Sequence, residues 1–198
     1  MIGRNNVNKL EDECNNKLIA DRLPDTRDDM RINLSDLGLT GIPEESIKKL
    51  LEFPDLFYLS LSNNNITTLP ESFGNLKTLE VLYLFNNNFS EFPGTVLQLE
   101  NLKKLNMRYN GLTVVPDTID HLKNLEMLFI CDNNLTALPT GLSKMRKLTY
   151  LSVMNNQIPV LPHFIGRLLG ADRGGVYLHD NEFLPEHFSG FNSTIKEK

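Results

Sequence analysis

The chain has 198 residues, of which 40% are hydrophobic and 23% are charged, a balance typical of one folded globular domain. Its formal net charge of −5 disfavours nucleic-acid binding, because that affinity comes largely from clustered Lys and Arg. The same charge favours a partner whose surface is neutral or basic.

The cysteines and the N-terminus predict an intracellular, cytoplasmic protein. Cys14 and Cys131 lie far apart and form no CxxC pair, which is typical of the reducing interior of a cell. The first residues are polar and lack the apolar segment of an export signal, and no apolar run is long enough to span a bilayer. Secretion into a host cell by a route that uses another kind of signal stays open.

Residues 1–28 are predicted to form a helical cap. Apolar residues recur at helical spacing at Val7, Leu10, Cys14 and Leu18. Residues 15 to 17 fill the polar side of this helix, and Pro24 ends the run. We expect the helix to cover the open edge of the segment that follows it.

Residues 29–190 contain seven units of one repeat, followed by a polar tail at 191–198. The first unit, 29–55, has Leu37 where later units have asparagine, and the last, 173–190, is displaced by two extra residues. The five central units are about 56–78, 79–101, 102–124, 125–147 and 148–172. Each of these five follows the order L-x-x-L-x-[LMIV]-x-x-N-x-[LIF], and they start 23 residues apart. Atypical terminal units are expected of a solenoid, whose ends must stop exposing the core to water.

Each unit predicts a strand, an arc and a return limb. Alternating apolar residues such as Leu59 and Leu61 predict a short strand with one buried face. A proline such as Pro70 then fits a connecting arc, because proline cannot donate to a ladder. Apolar residues three positions apart, such as Phe73 and Leu76, predict an inward-facing helical turn.

This pattern resembles the leucine-rich repeat family, in its 23-residue class, over about residues 29–190. The resemblance implies an α/β fold, a horseshoe-shaped solenoid with a concave parallel β-sheet and short helical or 3-10 return limbs. It also implies that the repeated asparagines form a hydrogen-bonded ladder that satisfies buried backbone groups. These asparagines are Asn64, Asn87, Asn110, Asn133, Asn156 and Asn181. We interpret them as residues of the fold and not of an active site.

Binding is expected where the repeat leaves residues free to vary, on strand side chains that point away from the core. The middle of this surface is rich in Tyr, Phe, Met and Arg, the residue types enriched at protein interfaces. The predicted partner-binding residues are Tyr58, Tyr83, Phe85, Arg108, Tyr109, Met127, Phe129, Tyr150, Met154 and Tyr177. The alternative is that they pack against the chain's own tail, or that the surface merely tolerates aromatic residues.

No catalytic or metal-binding motif is present in the sequence. It contains no phosphate-binding loop, nucleophile elbow, zinc-protease helix or kinase signature. His179 and Asp180 are too few ligands to predict a metal site. Cys131 has no histidine expected within reach as its base, and we interpret it as a small apolar contact residue. The sequence therefore predicts no enzyme activity, no cofactor and no metal.

The resemblance implies a monomeric protein-binding module that clamps a folded partner on its concave face. Similar proteins include Ras-suppressor-like and plant intracellular repeat proteins, some of which engage small GTPases or their regulators. Similar proteins also include effectors that intracellular bacteria deliver into host cells, so the partner is expected to be a small GTPase, its regulator or another host signalling protein. Two alternatives stay open: the recognition part of a ubiquitin-ligase-type effector, and a glycan-binding receptor fragment.

Overall fold

The computed structural model describes residues 3–24, 30–166 and 175–182. Within these ranges an N-terminal helix is followed by seven three-residue strands in one parallel sheet, arranged in chain order. The strands are β1 (Arg31–Asn33), β2 (Tyr58–Ser60), β3 (Val81–Tyr83), β4 (Lys104–Asn106), β5 (Met127–Phe129), β6 (Tyr150–Ser152) and β7 (Gly175–Tyr177). The predicted tail at 191–198 and the return limb of the last repeat lie outside the described residues.

Neighbouring strands pair so that equivalent residues of consecutive repeats lie side by side. Leu59 pairs with Leu82, and Leu82 pairs with Leu105, each 23 residues further along the chain. At the irregular last step Leu151 still pairs with Val176, so the buried strand positions stay in register. The predicted solenoid with a parallel sheet on one side is confirmed.

A return limb completes each coil of the solenoid. Among the described residues, four limbs contain a 3-10 turn: Glu71–Asn75, Gly94–Gln98, Asp117–His121 and Thr140–Lys144. Each turn directly follows a proline, whose fixed φ suits the start of a helical turn. The first return limb is instead an α-helix, α2 (Glu44–Leu50). The predicted inward-facing helical turns are confirmed, because apolar anchors such as Phe73 and Val96 are buried.

The core lies between the sheet and the return limbs. In one repeat it contains Leu82 from β3, Leu84 just after it, Phe89 from the arc and Val96 from the return limb, all fully buried. The same positions recur along the chain, and their side chains form one continuous cluster. The alternate strand residues point the other way and are free of any packing requirement of the core.

The N-terminal helix α1 (Gly3–Ala20) packs on the first repeat, and of its predicted buried face Leu18 packs against the core but Leu10 and Cys14 do not. Leu10 is 65% exposed and Cys14 is also exposed. Asn15 and Ile19, the latter fully shielded from solvent, are buried instead. The helix is thus rotated relative to the orientation that its apolar spacing predicts.

Polar contacts explain this rotation of α1. Asn15 Nδ2 donates to Thr40 Oγ1 at 3.2 Å, and Asn16 Oδ1 accepts from Ser46 Oγ at 2.6 Å. Ser46 is buried and lies on α2, so its hydroxyl needs a partner from the cap. The asparagines that were predicted to face solvent therefore face the first repeat.

Candidate protein-binding surface

The repeated asparagines lie inside the corners that follow the strands. Asn87 Nδ2 donates to the carbonyl oxygens of Leu61 at 2.9 Å and Leu84 at 3.2 Å, while its Oδ1 accepts from the N–H of Ile66 at 3.0 Å. One side chain thereby joins its own repeat to the preceding one. The same pattern holds at Asn64, Asn110, Asn133, Asn156 and Asn181. These amides hold the corners together.

The residue before each corner asparagine, and before Leu37 in the first repeat, has a left-handed backbone. These residues are Asp36, Asn63, Asn86, Tyr109, Asp132, Asn155 and Asp180, with φ between 51° and 63°. Asp and Asn tolerate this conformation better than other side chains with a Cβ, so Tyr109 is the exception. Asn86 Nδ2 donates to Asn63 Oδ1 at 3.0 Å, whereas the Tyr109 ring lies 4.6 Å from the guanidinium carbon of Arg108. We call this row the lip of the surface.

Three columns of side chains form the floor of the surface, on the sheet face that points away from the core. The first column is Arg31, Tyr58, Val81, Lys104, Met127, Tyr150 and Gly175. The second is Asn33, Ser60, Tyr83, Asn106, Phe129, Ser152 and Tyr177. The third, after the strands, is Ser35, Ser62, Phe85, Arg108, Cys131, Met154 and His179. With Tyr109 on the lip, all five tyrosines of the chain belong to this surface.

A continuous band of cationic and aromatic side chains crosses all seven described strands. This cation–aromatic band consists of Arg31, Tyr58, Tyr83, Lys104, Phe129, Tyr150 and Tyr177. Its first contacts are the Arg31 guanidinium carbon at 4.7 Å from the Tyr58 ring centroid, and the Tyr58 and Tyr83 centroids at 5.4 Å. Lys104 Nζ lies 5.3 Å from the centroids of both Tyr83 and Phe129. The Tyr150 centroid is 4.7 Å from that of Phe129 and 5.0 Å from that of Tyr177.

A concavity of about 440 Å³ opens beside the band, between the floor and the lip. Its lining includes Arg108, Tyr109, Cys131, Asp132, Tyr150 and Met154. A side-chain hydrogen bond with Tyr109 raises the pKa of the Arg108 guanidinium, and burial raises the pKa of the Cys131 thiol. Burial also raises the pKa of the Tyr150 hydroxyl. At neutral pH this site therefore presents a cation beside a neutral thiol and a neutral phenol.

Two family comparisons match the chain. The family described as a leucine-rich repeat region matches residues 33–128, and the family described as a leucine rich repeat matches residues 100–158. The chain is a leucine-rich repeat protein. A comparison with curated proteins finds no match. Leucine-rich repeats generally mediate protein–protein interaction and are typically not enzymes.

Metal ligands are not gathered in the part of this leucine-rich repeat protein that the structure describes. No group of three His, Cys, Asp or Glu side chains there could hold a metal ion. His179 Nε2 lies 3.7 Å from Asp180 Oδ2, a pair without a third ligand in the described residues. None of the described helices is both long and apolar enough to cross a membrane.

The structure places the ten predicted binding residues of the repeat protein on one surface, most of them in the band or around the concavity. Five of them belong to the cation–aromatic band: Tyr58, Tyr83, Phe129, Tyr150 and Tyr177. Phe85 extends the band, with its ring centroid 6.5 Å from that of Tyr83, and Met127 is exposed on β5. Arg108, Tyr109 and Met154 surround the concavity.

Two members of the band, Arg31 and Lys104, were missing from the predicted binding residues. Both stand in the first column of the floor. The strand register pairs Arg31 with Tyr58, whereas it pairs Lys104 with Val81 and Met127, and the rings that Lys104 contacts stand in the second column. A cation over a ring is attracted by its electron-rich face, so the register partner Tyr58 could have indicated Arg31. The contacts of Lys104 run between columns, and no signal in the register indicates them.

Proposed function

We propose that this leucine-rich repeat protein binds a protein partner on its concave face, and that the cation–aromatic band is the centre of the contact. The observation that supports this proposal is the band itself, because the repeat requires no large side chain at these positions. Tyr, Phe and Arg dominate interface energetics, since they bury a large area and retain polar groups. The seven strands span roughly 30 Å, which suits a standard interface of about 800 Å² per partner.

The finer role that we propose is that of a non-enzymatic, intracellular adaptor or effector. Its resemblance to Ras-suppressor-like, plant intracellular and bacterial effector repeat proteins supports a signalling partner, such as a small GTPase, its regulator or another host protein. The sequence supports a reducing compartment, because its two cysteines lie far apart and form no CxxC pair. We expect the protein to act as a monomer.

Affinity purification from host-cell lysate tests the proposed surface. We expect the Tyr83→Ala/Phe129→Ala variant to capture at least about tenfold less of the partner than the wild type, because interface aromatics are frequent hot spots. The matched control is Val114→Ala/Val160→Ala, which removes two exposed apolar side chains from the arcs beyond the strands. All three proteins must first show equal melting temperatures. Equal capture by all three would exclude the band as the binding site.

A further inference from the structure

The floor of the concave face is cationic, although the chain as a whole is acidic. Its three columns contain Arg31, Lys104 and Arg108 but no Asp or Glu. The carboxylates of this surface stand on the lip, at Asp36, Asp132 and Asp180. The surface is therefore divided into a cationic floor and an acidic lip.

Distance separates the band from these carboxylates. The lip lies five residues beyond the first column, which corresponds to about 15 Å of extended chain. Screening at physiological salt acts over about 8 Å, so the lip weakly affects a charge on the band. Arg108 differs, because Asp132 is close enough to contribute to its raised pKa. The cations of the band itself are Lys104 and Arg31, and the lip affects both of them weakly.

Lys104 is the central cation of the band. It lies on β4, the middle strand of the seven described, and the rings of Tyr83 and Phe129 flank its ammonium group. Within the described residues Lys104 forms no salt bridge, whereas its neighbour Lys103 pairs with Glu80 at 2.8 Å. Two rings hold the ammonium in position and restrict its hydration, so a carboxylate that reaches it forms a charge-assisted hydrogen bond.

The spacing of the two cations indicates the form of the ligand. Arg31 on β1 and Lys104 on β4 are three strands apart, or roughly 14 Å at the usual strand separation. An extended peptide that crosses the strands along the band covers this distance in about four residues. Residues i and i+4 of such a peptide point the same way, and residue i+2 then lies over Tyr58 and Tyr83.

We propose that the cation–aromatic band binds an acidic peptide segment of the partner, extended across the strands, with two carboxylates about four residues apart and an apolar side chain between them. This inference rests on the proposed protein-binding function of the same face. The carboxylates pair with Arg31 and Lys104, and the apolar side chain packs on the tyrosine rings. The partner surface is thus acidic at the floor, and not neutral or basic as the net charge of the chain suggests.

Selection of displayed peptides on the purified full-length chain tests the proposal. The random library contains peptides about 12 residues long, because an extended peptide needs roughly nine residues to span the floor. We expect the selected sequences to be enriched in Asp or Glu at i and i+4 with an apolar residue between. Synthetic copies of these peptides are then measured by fluorescence anisotropy at low and at physiological salt, where binding should weaken as salt rises.

Charge-reversal variants separate the two proposals. Lys104→Glu should weaken binding of the selected peptides at least about tenfold, and Lys104→Met, which keeps an unbranched apolar chain, should weaken it several-fold. Lys123→Glu changes the net charge equally, at an exposed position on a return limb, and should leave affinity within about twofold. Circular dichroism establishes that each variant is folded.

Three outcomes overturn the inference: no enriched sequence, enrichment without acidic residues, or affinities that Lys104→Glu and Lys104→Met do not change. Peptides without acidic residues, or affinities that do not depend on Lys104, are still compatible with binding on the concave face if Tyr83→Ala/Phe129→Ala abolishes binding. In that result only the proposal of an acidic ligand is contradicted. Peptides that bind all variants equally would contradict both proposals.

Discussion

At the residue scale, each corner asparagine serves two repeats at once. Its amide nitrogen donates to carbonyl groups of its own and the preceding repeat, and its amide oxygen accepts from an N–H in the preceding arc. In the first repeat, where Leu37 replaces the asparagine, the N–H of Leu37 donates to Asn64 from the next repeat at 3.1 Å. The ladder therefore reaches the first corner without a first asparagine.

Replacing Asn110 by Leu is expected to lower the free energy of unfolding by about 1–3 kcal/mol, because buried backbone groups lose their partners. These are the N–H of Phe89 and the carbonyl groups of Leu84 and Met107. Urea denaturation measures the change. Asn88→Leu, the same substitution at an exposed position in the preceding arc, should have little effect. Equal stability of the Asn110 variant and the wild type would contradict the ladder.

Tyr109, unlike the corner asparagines, departs from the repeat. It occupies a left-handed position that six other repeats give to Asp or Asn. A side chain such as tyrosine is strained there, and strain of this kind is often retained at functional sites. Its ring contacts Arg108 and lines the concavity. The departure from the repeat thus coincides with the candidate binding surface.

Tyr109→Asn is therefore expected to raise the free energy of unfolding by up to about 1 kcal/mol, since Asn relieves the left-handed backbone. The same substitution should weaken partner binding. Tyr109→Ala is the control, because it removes the ring without supplying a side chain suited to this conformation. If chemical denaturation finds the Asn variant no more stable than the Ala variant, backbone strain at Tyr109 does not lower the stability of the wild type.

At the scale of elements, no strand or turn of this protein could be stable alone. The strands have three residues and the 3-10 turns have five, which is too short to offset the entropy of ordering them. Each element is stabilised by equivalent elements of the neighbouring repeats, as in other solenoids. The first repeat has a neighbour on one side only, and α1 covers its other side.

The cap supplies a matched pair of variants. Ile19→Ala should lower the free energy of unfolding by about 2–4 kcal/mol, because Ile19 is fully buried and its removal leaves a cavity. Leu10→Ala should change it by less than about 0.5 kcal/mol, because Leu10 is 65% exposed. Thermal or urea denaturation compares the two. Similar losses for both, or a larger loss for Leu10→Ala, would restore the helix orientation that the apolar spacing predicts.

At the scale of the whole molecule, the repeat arranges side chains in columns whose charge differs from the net charge of the chain. A net charge of −5 predicts a neutral or basic partner, yet the floor of the surface carries Arg31, Lys104 and Arg108 without a carboxylate. Because each column collects one side chain from every repeat, it can concentrate one sign of charge that the total conceals. The charge of each column, and not the net charge of the chain, decides which partner surface is complementary.

Most of the fold could be predicted from the sequence, because the same structural unit recurs seven times along the chain. The leucines, the asparagine and the proline each recur in register, so an irregular first or last unit is read from its neighbours. The face of α1 could not be predicted in this way, because the helix occurs once. Its orientation depends on Thr40 and Ser46, which lie in another part of the chain and bind the two asparagines.

The sequence by itself determined the repeat, the parallel sheet and the columns of the floor, since these follow from local periodicity. Only the tertiary structure decided which members of the columns touch. The band depends on the side-chain directions of residues in different repeats, as where Lys104 lies between Tyr83 and Phe129. Such contacts are set by packing across strands, and periodicity carries no information about them.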